Sequence, residues 1–192
     1  KNQRILPGEA VEFAQSFFDV KVAEVYSAYQ KKLMLANSMD FDDLLLKAVE
    51  LLETSDKSLD YWSTKFQFIM IDEYQDTNMV QYRLIELLSS KHKNICVVGD
   101  SDQSIYAFRG ADIRNIEEFE KDFKNAKVIS LEKNYRSSQK ILDIANSVIS
   151  NNPRKKDKKL WTENEEGLDV NMLEFNSERD ESRWIAEEIK KK

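Results

Sequence analysis

The sequence predicts an α/β protein: a parallel β-sheet with flanking helices, preceded by a helical segment. Three observations carry this. Phe68-Ile69-Met70-Ile71 is a short apolar run that leads straight into Asp72-Glu73, and Ile95-Cys96-Val97-Val98 is a second that leads into Gly99-Asp100. Between them Val80, Leu84, Leu87 and Leu88 recur at helical spacing. Apolar runs this short, bounded by polar residues, fit fully buried strands better than helix faces. Strand, helix, strand at this spacing is a βαβ unit with parallel strands. Both polar strand ends then emerge on one edge of the sheet, where open α/β sheets bind ligands.

The remaining elements follow in order. After the Pro7-Gly8 break, Val11, Ala14, Phe18, Val22, Val25, Tyr29 and Leu33 recur at three- and four-residue steps and predict one long helix with a single apolar stripe up to Asn37. Asp40 fits an N-cap with Asp43 three residues on, opening a helix from Phe41 to about Glu53 that buries Leu44, Leu45, Ala48 and Leu52. The acids at 40, 42 and 43 read as helix-start charges facing the dipole rather than as metal ligands. Residues 54–58 read as a polar loop, followed by the Phe68–Ile71 strand, a helix from about Asn78 to Ser90 and the Asn94–Asp100 strand. A helix from Asp112 to Phe123 is predicted to turn Ile113, Ile116 and Phe119 or Phe123 inward. Lys127–Leu131 reads as a third strand, and the helix after it as burying Ile141, Ile144, Ala145, Val148 and Ile149. Leu168–Phe175 alternates enough for a strand, and a closing helix capped by Ser177 with Asp180 is predicted to bury Trp184, Ile185 and Ile189.

Composition sets bounds. A formal charge of -6 argues against coating nucleic acid by bulk electrostatics, while leaving room for a local basic track. One cysteine, Cys96, rules out a disulfide framework and points to a reducing compartment, and one histidine, His92, leaves no His/Cys cluster for zinc. No signal peptide and no apolar run of membrane-spanning length is present, so the chain is expected to work in the cytoplasm without a membrane partner. It starts at Lys1 rather than Met and ends in three lysines on a helix, which suggests a piece of something longer.

Asp72 leaves its strand where an oxygen ligand could hold a divalent cation, and Glu73 sits one residue on, placed to take a proton from water. That pairing suits metal-assisted phosphoryl transfer, although for Asp-Glu alone a strand ending in solvated acids is the simpler account. The loop after the second strand is rich in amide, hydroxyl and guanidinium groups. In an extended segment its Tyr106 and Phe108 face one way beside Arg109, which suits stacking on single-stranded bases as well as it suits burial. Tyr135-Arg136 again follows a strand, offering a ring for a base and a cation for phosphate. The run 154–159 is the basic cluster, more simply a solvated charge run than a nucleic-acid track.

Taken together, Ile-Asp-Glu-Tyr-Gln-Asp-Thr-Asn (71–78), Val-Gly-Asp-Ser-Asp-Gln-Ser-Ile-Tyr-Ala-Phe-Arg-Gly-Ala (98–111) and Leu-Glu-Lys-Asn-Tyr-Arg-Ser-Ser (131–138) closely resemble the UvrD/PcrA/Rep family of superfamily 1 DNA helicases, and most of all its PcrA branch. Met39–Leu45 and Leu160–Asn164 extend the resemblance over nearly the whole chain. It implies ATP and Mg²⁺ as cofactors and single-stranded and duplex DNA as partners. Asp72 would bind the metal, Glu73 would activate water, and Gln103 would sense the γ-phosphate. Tyr135 would stack on adenine and Arg136 would act as an arginine finger, while Tyr106, Phe108 and Arg109 would meet single-stranded DNA. Phe108 stands where members often carry tryptophan, so weaker stacking is expected.

The resemblance also implies RecA-like domains: residues 1–37 as the tail of a helical insertion, 38–126 as the second half of the first domain, and 127–192 as the opening of the second. The family's G-x-x-x-x-G-K-[ST] phosphate loop is missing, since none of the glycines at 8, 99, 110 and 167 fits it. The chain is therefore expected to be an internal piece of a helicase and inactive by itself. Two alternatives stand beside this: a related recombination nuclease-helicase subunit, and a non-catalytic single-strand-binding module that lost its ATPase.

Overall fold

The computed structural model describes residues 1–152 and 158–191, so Arg154 to Asp157 of the basic run lie outside the described residues. The chain divides into two compact units, Lys1–Lys127 and Val128–Lys192.

In the first unit the predicted long helix is two helices, α1 (Pro7–Ala10) and α2 (Phe17–Leu35). Proline at the first helical position starts a turn rather than breaking one. Ser16 then resets the start: its hydroxyl accepts from Asp19 N at 3.2 Å while its own N–H donates to Asp19 Oδ2 at 2.9 Å. The stripe is also on the other side from that expected. Ala23 is buried, whereas Phe18, Val22 and Val25 are exposed. Polar anchors set this rotation, with Tyr26 donating to the Ile5 carbonyl at 3.2 Å and Gln30 to Asp43 at 3.0 Å.

Helix α3 (Phe41–Thr54) opens with the predicted cap, Asp43 N donating to Asp40 Oδ1 at 2.9 Å. Asp43 itself is buried, held by Lys1 and Gln30; Leu45 and Leu52 of the predicted face join the core together with Leu46 and Val49, while Leu44 is exposed. The expected polar loop is instead α4 (Asp56–Lys65), because Ser55 caps it by accepting from Ser58 N and because Leu59 and Trp62 fall on one face. Helix α5 (Met79–Ser89) is capped by Asn78 and buries the predicted face. Val49, Leu52, Val80 and Leu87 form the centre of this core, with Leu45, Leu46, Leu59, Trp62, Leu84 and Leu88 around it.

Strands β1 (Ile69–Ile71) and β2 (Ile95–Val97) pair in parallel, as the spacing predicts, with Ile69 opposite Ile95 and Ile71 opposite Val97. They are not fully buried. Ile69 and Ile71 are half-buried, but Met70 on the other face is 82 % exposed. A two-stranded sheet has one covered face here, and among the described residues no third strand joins it. The predicted helix over 112–123 is two short ones, α6 (Arg114–Glu117) and α7 (Phe119–Asp122), interrupted at Glu118. Ile113, Ile116, Phe119 and Phe123 are half-buried, and the Phe119 and Phe123 rings stack with centroids 4.5 Å apart.

Beyond α7 neither Lys127–Leu131 nor Leu168–Phe175 forms a strand. A strand needs a neighbour to satisfy its backbone groups, and among the described residues the isolated bridge of the second unit, Lys133 with Trp161, lies outside both segments. Val128, Ile129, Leu168 and Met172 are correspondingly exposed. Helix α8 (Gln139–Ile149) buries Leu142, while Ile141, Ile144 and Val148 of the predicted face are exposed. The segment after residue 159 lies along the other side, where Asn146 exchanges hydrogen bonds with the Leu160 backbone at 2.9 and 3.2 Å. Helix α9 (Glu178–Lys191) follows the predicted cap, with Ser177 Oγ donating to Asp180 at 2.8 Å. Its Trp184, Ile185 and Ile189 are exposed rather than buried, with Phe175 the ring beside Trp184 at 5.8 Å. No helix among the described residues is long and apolar enough to cross a membrane.

Candidate functional site

Strands β1 and β2 deliver Asp72-Glu73 and Gly99-Asp100 to the same sheet edge, and the chain is stitched there by Val98 N to Ile71 O at 2.8 Å and Tyr74 N to Val98 O at 3.0 Å. Glu73 sits in the left-handed region (φ 50°, ψ 42°), which a residue with a side chain adopts only when its surroundings impose it. Those surroundings are visible. Glu73 N donates to Asp72 Oδ1 at 2.9 Å, and Glu73 Oε2 accepts from Gln75 Nε2 at 2.8 Å.

Gln75, 1 % exposed, is the residue that sequence reasoning missed. Its other amide atom, Oε1, accepts from Asp100 N at 2.9 Å, so one buried side chain ties the Glu73 carboxylate to the end of β2. The close approach explains Gly99: a Cβ there would lie 2.6 Å from Gln75 Oε1. Asp100 continues the chain by accepting from Gln103 Nε2 on Oδ2 at 2.9 Å. Glu73, Gln75, Asp100 and Gln103 are thus joined in sequence by hydrogen bonds, bringing the two predicted residues Glu73 and Gln103 to the ends of one network. The available signal was an amide two residues after the acidic pair, a group able to donate to one loop and accept from another.

The same turn is fixed further along. Tyr74–Asp76 is a 3₁₀ turn whose exit residue, Thr77, accepts on its carbonyl from Asp112 N at 2.9 Å and from Asn115 Nδ2 at 3.0 Å. Tyr74 is fully buried edge-on to Phe119, its hydroxyl has no hydrogen-bond partner among the described residues, and burial, then the charges of Asp122 and Glu86, push that phenol up to about 12.

Tyr106, Phe108 and Arg109 do come together, though not in the extended segment the sequence suggests. Ala107–Arg109 is a 3₁₀ turn closed by Gly110 at φ 90°. The turn brings the two rings to 5.9 Å between centroids and lays the Arg109 guanidinium 5.3 and 5.5 Å from them. All three side chains are exposed, which leaves their faces open to a base.

In the second unit Tyr135 and Arg136 are exposed on a turn made by Asn134, whose Oδ1 accepts from Arg136 N at 2.9 Å and Ser137 N at 2.7 Å. The Leu160–Asn164 stretch braces that turn. Asn134 N donates to Trp161 O at 2.8 Å, and Asn164 Nδ2 to Ser137 O at 3.1 Å. Lys133 stands 5.3 Å from both the Tyr135 and Trp161 rings and pairs with Glu163 at 2.6 Å, a hydrogen bond that raises its ammonium above the ordinary value.

Among the described residues no group of three or more His, Cys, Asp or Glu side chains could hold a metal ion alone. Mg²⁺ does not require one, since it keeps several waters and takes one or two carboxylates with substrate phosphates. Asp72, an exposed carboxylate beside Glu73 with Oδ1 steadied by a backbone N–H, fits that partial ligand set.

Residues 1–124 match the UvrD/REP helicase N-terminal domain and residues 129–192 the UvrD-like helicase C-terminal domain. The ATP-dependent DNA helicase PcrA of Staphylococcus aureus is 50% identical over 191 residues, covering 100% of this chain and 26% of that protein. The PcrA of Bacillus subtilis is 48% identical over 189 residues, 98% of this chain and again 26% of the relative. The chain therefore spans about a quarter of the length of these relatives. With both domain models matched in order along one polypeptide, the chain belongs to the UvrD/REP helicase family.

Proposed function

We propose that this chain is part of an ATP-dependent DNA helicase that couples hydrolysis to movement along single-stranded DNA and to duplex unwinding in the cytoplasm. Residues 1–37 belong to an inserted helical subdomain, 38–126 to the second half of a first RecA-like domain, and 127–192 to the opening of a second. Asp72 holds Mg²⁺, which when bound neutralises charge developing on the phosphates. Glu73 orients and deprotonates the attacking water, and Gln103 reads the γ-phosphate. Tyr135 stacks on adenine, and Arg136 reaches phosphate oxygens with its guanidinium. Tyr106, Phe108 and Arg109 take single-stranded bases.

The observation that carries this reading is the hydrogen-bonded series from Glu73 through Gln75 and Asp100 to Gln103. It fixes a carboxylate oxygen and an amide from two different loops at one sheet edge, as water activation beside a phosphate requires. The 192 residues contain no G-x-x-x-x-G-K-[ST] loop, so this chain alone is expected to release no phosphate from ATP. The test uses the full-length protein. DNA-stimulated ATP hydrolysis is expected, falling about 10²- to 10⁴-fold in Glu73→Gln with single-strand binding retained. A loss under about tenfold would remove Glu73 from the general-base role.

A further inference from the structure

Ahead of α1, one side chain touches both loops of the site. Asn2 Nδ2 donates to the Arg109 carbonyl at 3.1 Å, and Asn2 Oδ1 accepts from Asn78 Nδ2 at 3.3 Å. Arg109 ends the aromatic turn, and Asn78 caps α5 directly after the Glu73–Thr77 turn. The approach is close, since a Cβ on Gly110 would lie 2.7 Å from Asn2 Cβ. Asn2 is also held from its own side. Lys1, its side chain 8 % exposed, bridges Asp40 at 2.6 Å and Asp43 at 2.8 Å, and Arg4 pairs at 2.7 Å with Glu53, which Arg83 of α5 also engages. A charge so enclosed stays with its partners, because separating them would strand it away from water. The segment is therefore a fixed strut, and its amide is suited to the position, donating to a carbonyl on one side and accepting on the other.

We propose that Asn2 is a positioning residue that holds the Tyr106–Arg109 turn in register with the Glu73 turn, so that a strand bound on the aromatic turn is felt at the carboxylate that activates water. This rests on the roles proposed above for those two turns. Asp112 and Asn115 join the same segments through Thr77, so removing Asn2 loosens the Arg109 end without releasing the whole loop.

The test compares the full-length protein with Asn2→Ala and Asn2→Asp, the latter keeping the acceptor for Asn78 while losing the donor to Arg109. Hydrogen exchange at the Arg109 and Gly110 amides is expected to quicken about tenfold in both, as loss of one hydrogen bond implies, with α5 unchanged. In ATP hydrolysis with and without oligothymidylate, stimulation is expected to fall roughly fivefold or more, while the DNA-free rate and oligothymidylate affinity stay within about twofold. Unchanged exchange overturns the strut whatever the activity does. Faster exchange with full stimulation overturns the coupling, as does a parallel loss of affinity and stimulation. A wild-type protein that DNA does not stimulate would sink the proposed function instead, and the exchange result would still decide whether Asn2 positions the turn.

Discussion

The two loops that carry the proposed catalytic charges are built in opposite ways. Around Glu73 the backbone is held in a left-handed conformation, the carboxylate is gripped by a buried amide, and the exit of the turn is pinned by Asp112 and Asn115. Around Arg136 the backbone is fixed by Asn134 and the Leu160–Asn164 stretch, and both the Tyr135 and Arg136 side chains are exposed. A base that must align one water gains from being rigid before substrate arrives. A guanidinium that meets a phosphate brings its own planar fork, so a fixed backbone and a free side chain are enough.

The sharpest way to break this contrast is Arg136→Ala in the full-length protein. Because the side chain is exposed, thermal stability is expected to change by no more than about 0.5 kcal/mol. Turnover is expected to fall about 10³- to 10⁵-fold, the range for an arginine that stabilises a transferring phosphoryl group. Single-strand affinity should change little. Equal losses of affinity and turnover would assign Arg136 to DNA instead, and a clear loss of stability would erase the contrast between the loops.

Gln75 tests the other side of it. Gln75→Ala leaves Asp100 N and the Glu73 carboxylate without their buried partner, and a destabilisation of about 1.5–3 kcal/mol is expected from a hydrogen bond to a charged group, with turnover lost alongside. Gln75→Glu separates positioning from bulk. It keeps an acceptor for Asp100 N but sets a second carboxylate where the amide stood 2.8 Å from Glu73 Oε2. Two carboxylates that close share a proton, so the acid limb of the pH–rate profile is expected to move upward. A variant with unchanged profile and reduced stability would make Gln75 structural only.

The same contrast explains what was legible in the sequence. Local signals were reliable at the caps formed by Asp40 with Asp43 and Ser177 with Asp180 and at the parallel Ile69–Ile71 and Ile95–Val97 pair, whereas the caps at Ser16 and Ser55 went unread. They failed where a distant polar contact chooses which face turns inward. Tyr26 and Gln30 turn α2 through Ile5 and Asp43, and Asn146 seats the Leu160 backbone against the Leu142 side of α8. They failed again at Lys127–Leu131 and Leu168–Phe175, where strand-like composition met no partner strand among the described residues. At the site the charged residues were visible because their chemistry is local. Gln75, Asn115 and Asn134 were not, since an amide announces itself only when both of its partners are in place.

Among the described residues of the braced loop, the Tyr74 hydroxyl and Asp76 Oδ1 are buried without a hydrogen-bond partner, and the first of them gives the finest test. Tyr74 is fully buried with its hydroxyl unpartnered among the described residues, an arrangement that opposes folding at neutral pH because a buried hydroxyl gives up its hydrogen bonds to water. Tyr74→Phe keeps the ring against Phe119 and removes that group, and a gain of about 1 kcal/mol is expected. The sign of the pH dependence follows from the phenol. Its value in the folded chain is about 12, above the ordinary 10, so the folded state holds this proton more tightly. That contribution is fully present below the ordinary value and is lost as pH rises through about 12. Phenylalanine cannot ionise, so the variant should unfold less steeply across that alkaline window. Part of the fall should remain, because burial and the hydrogen bond from Tyr82 to Asp122 at 2.9 Å raise the Tyr82 phenol as well. Thermal unfolding of both proteins from neutral to alkaline pH measures both effects. A variant less stable than the wild type at neutral pH would mean that the Tyr74 hydroxyl contributes to holding the Glu73 turn.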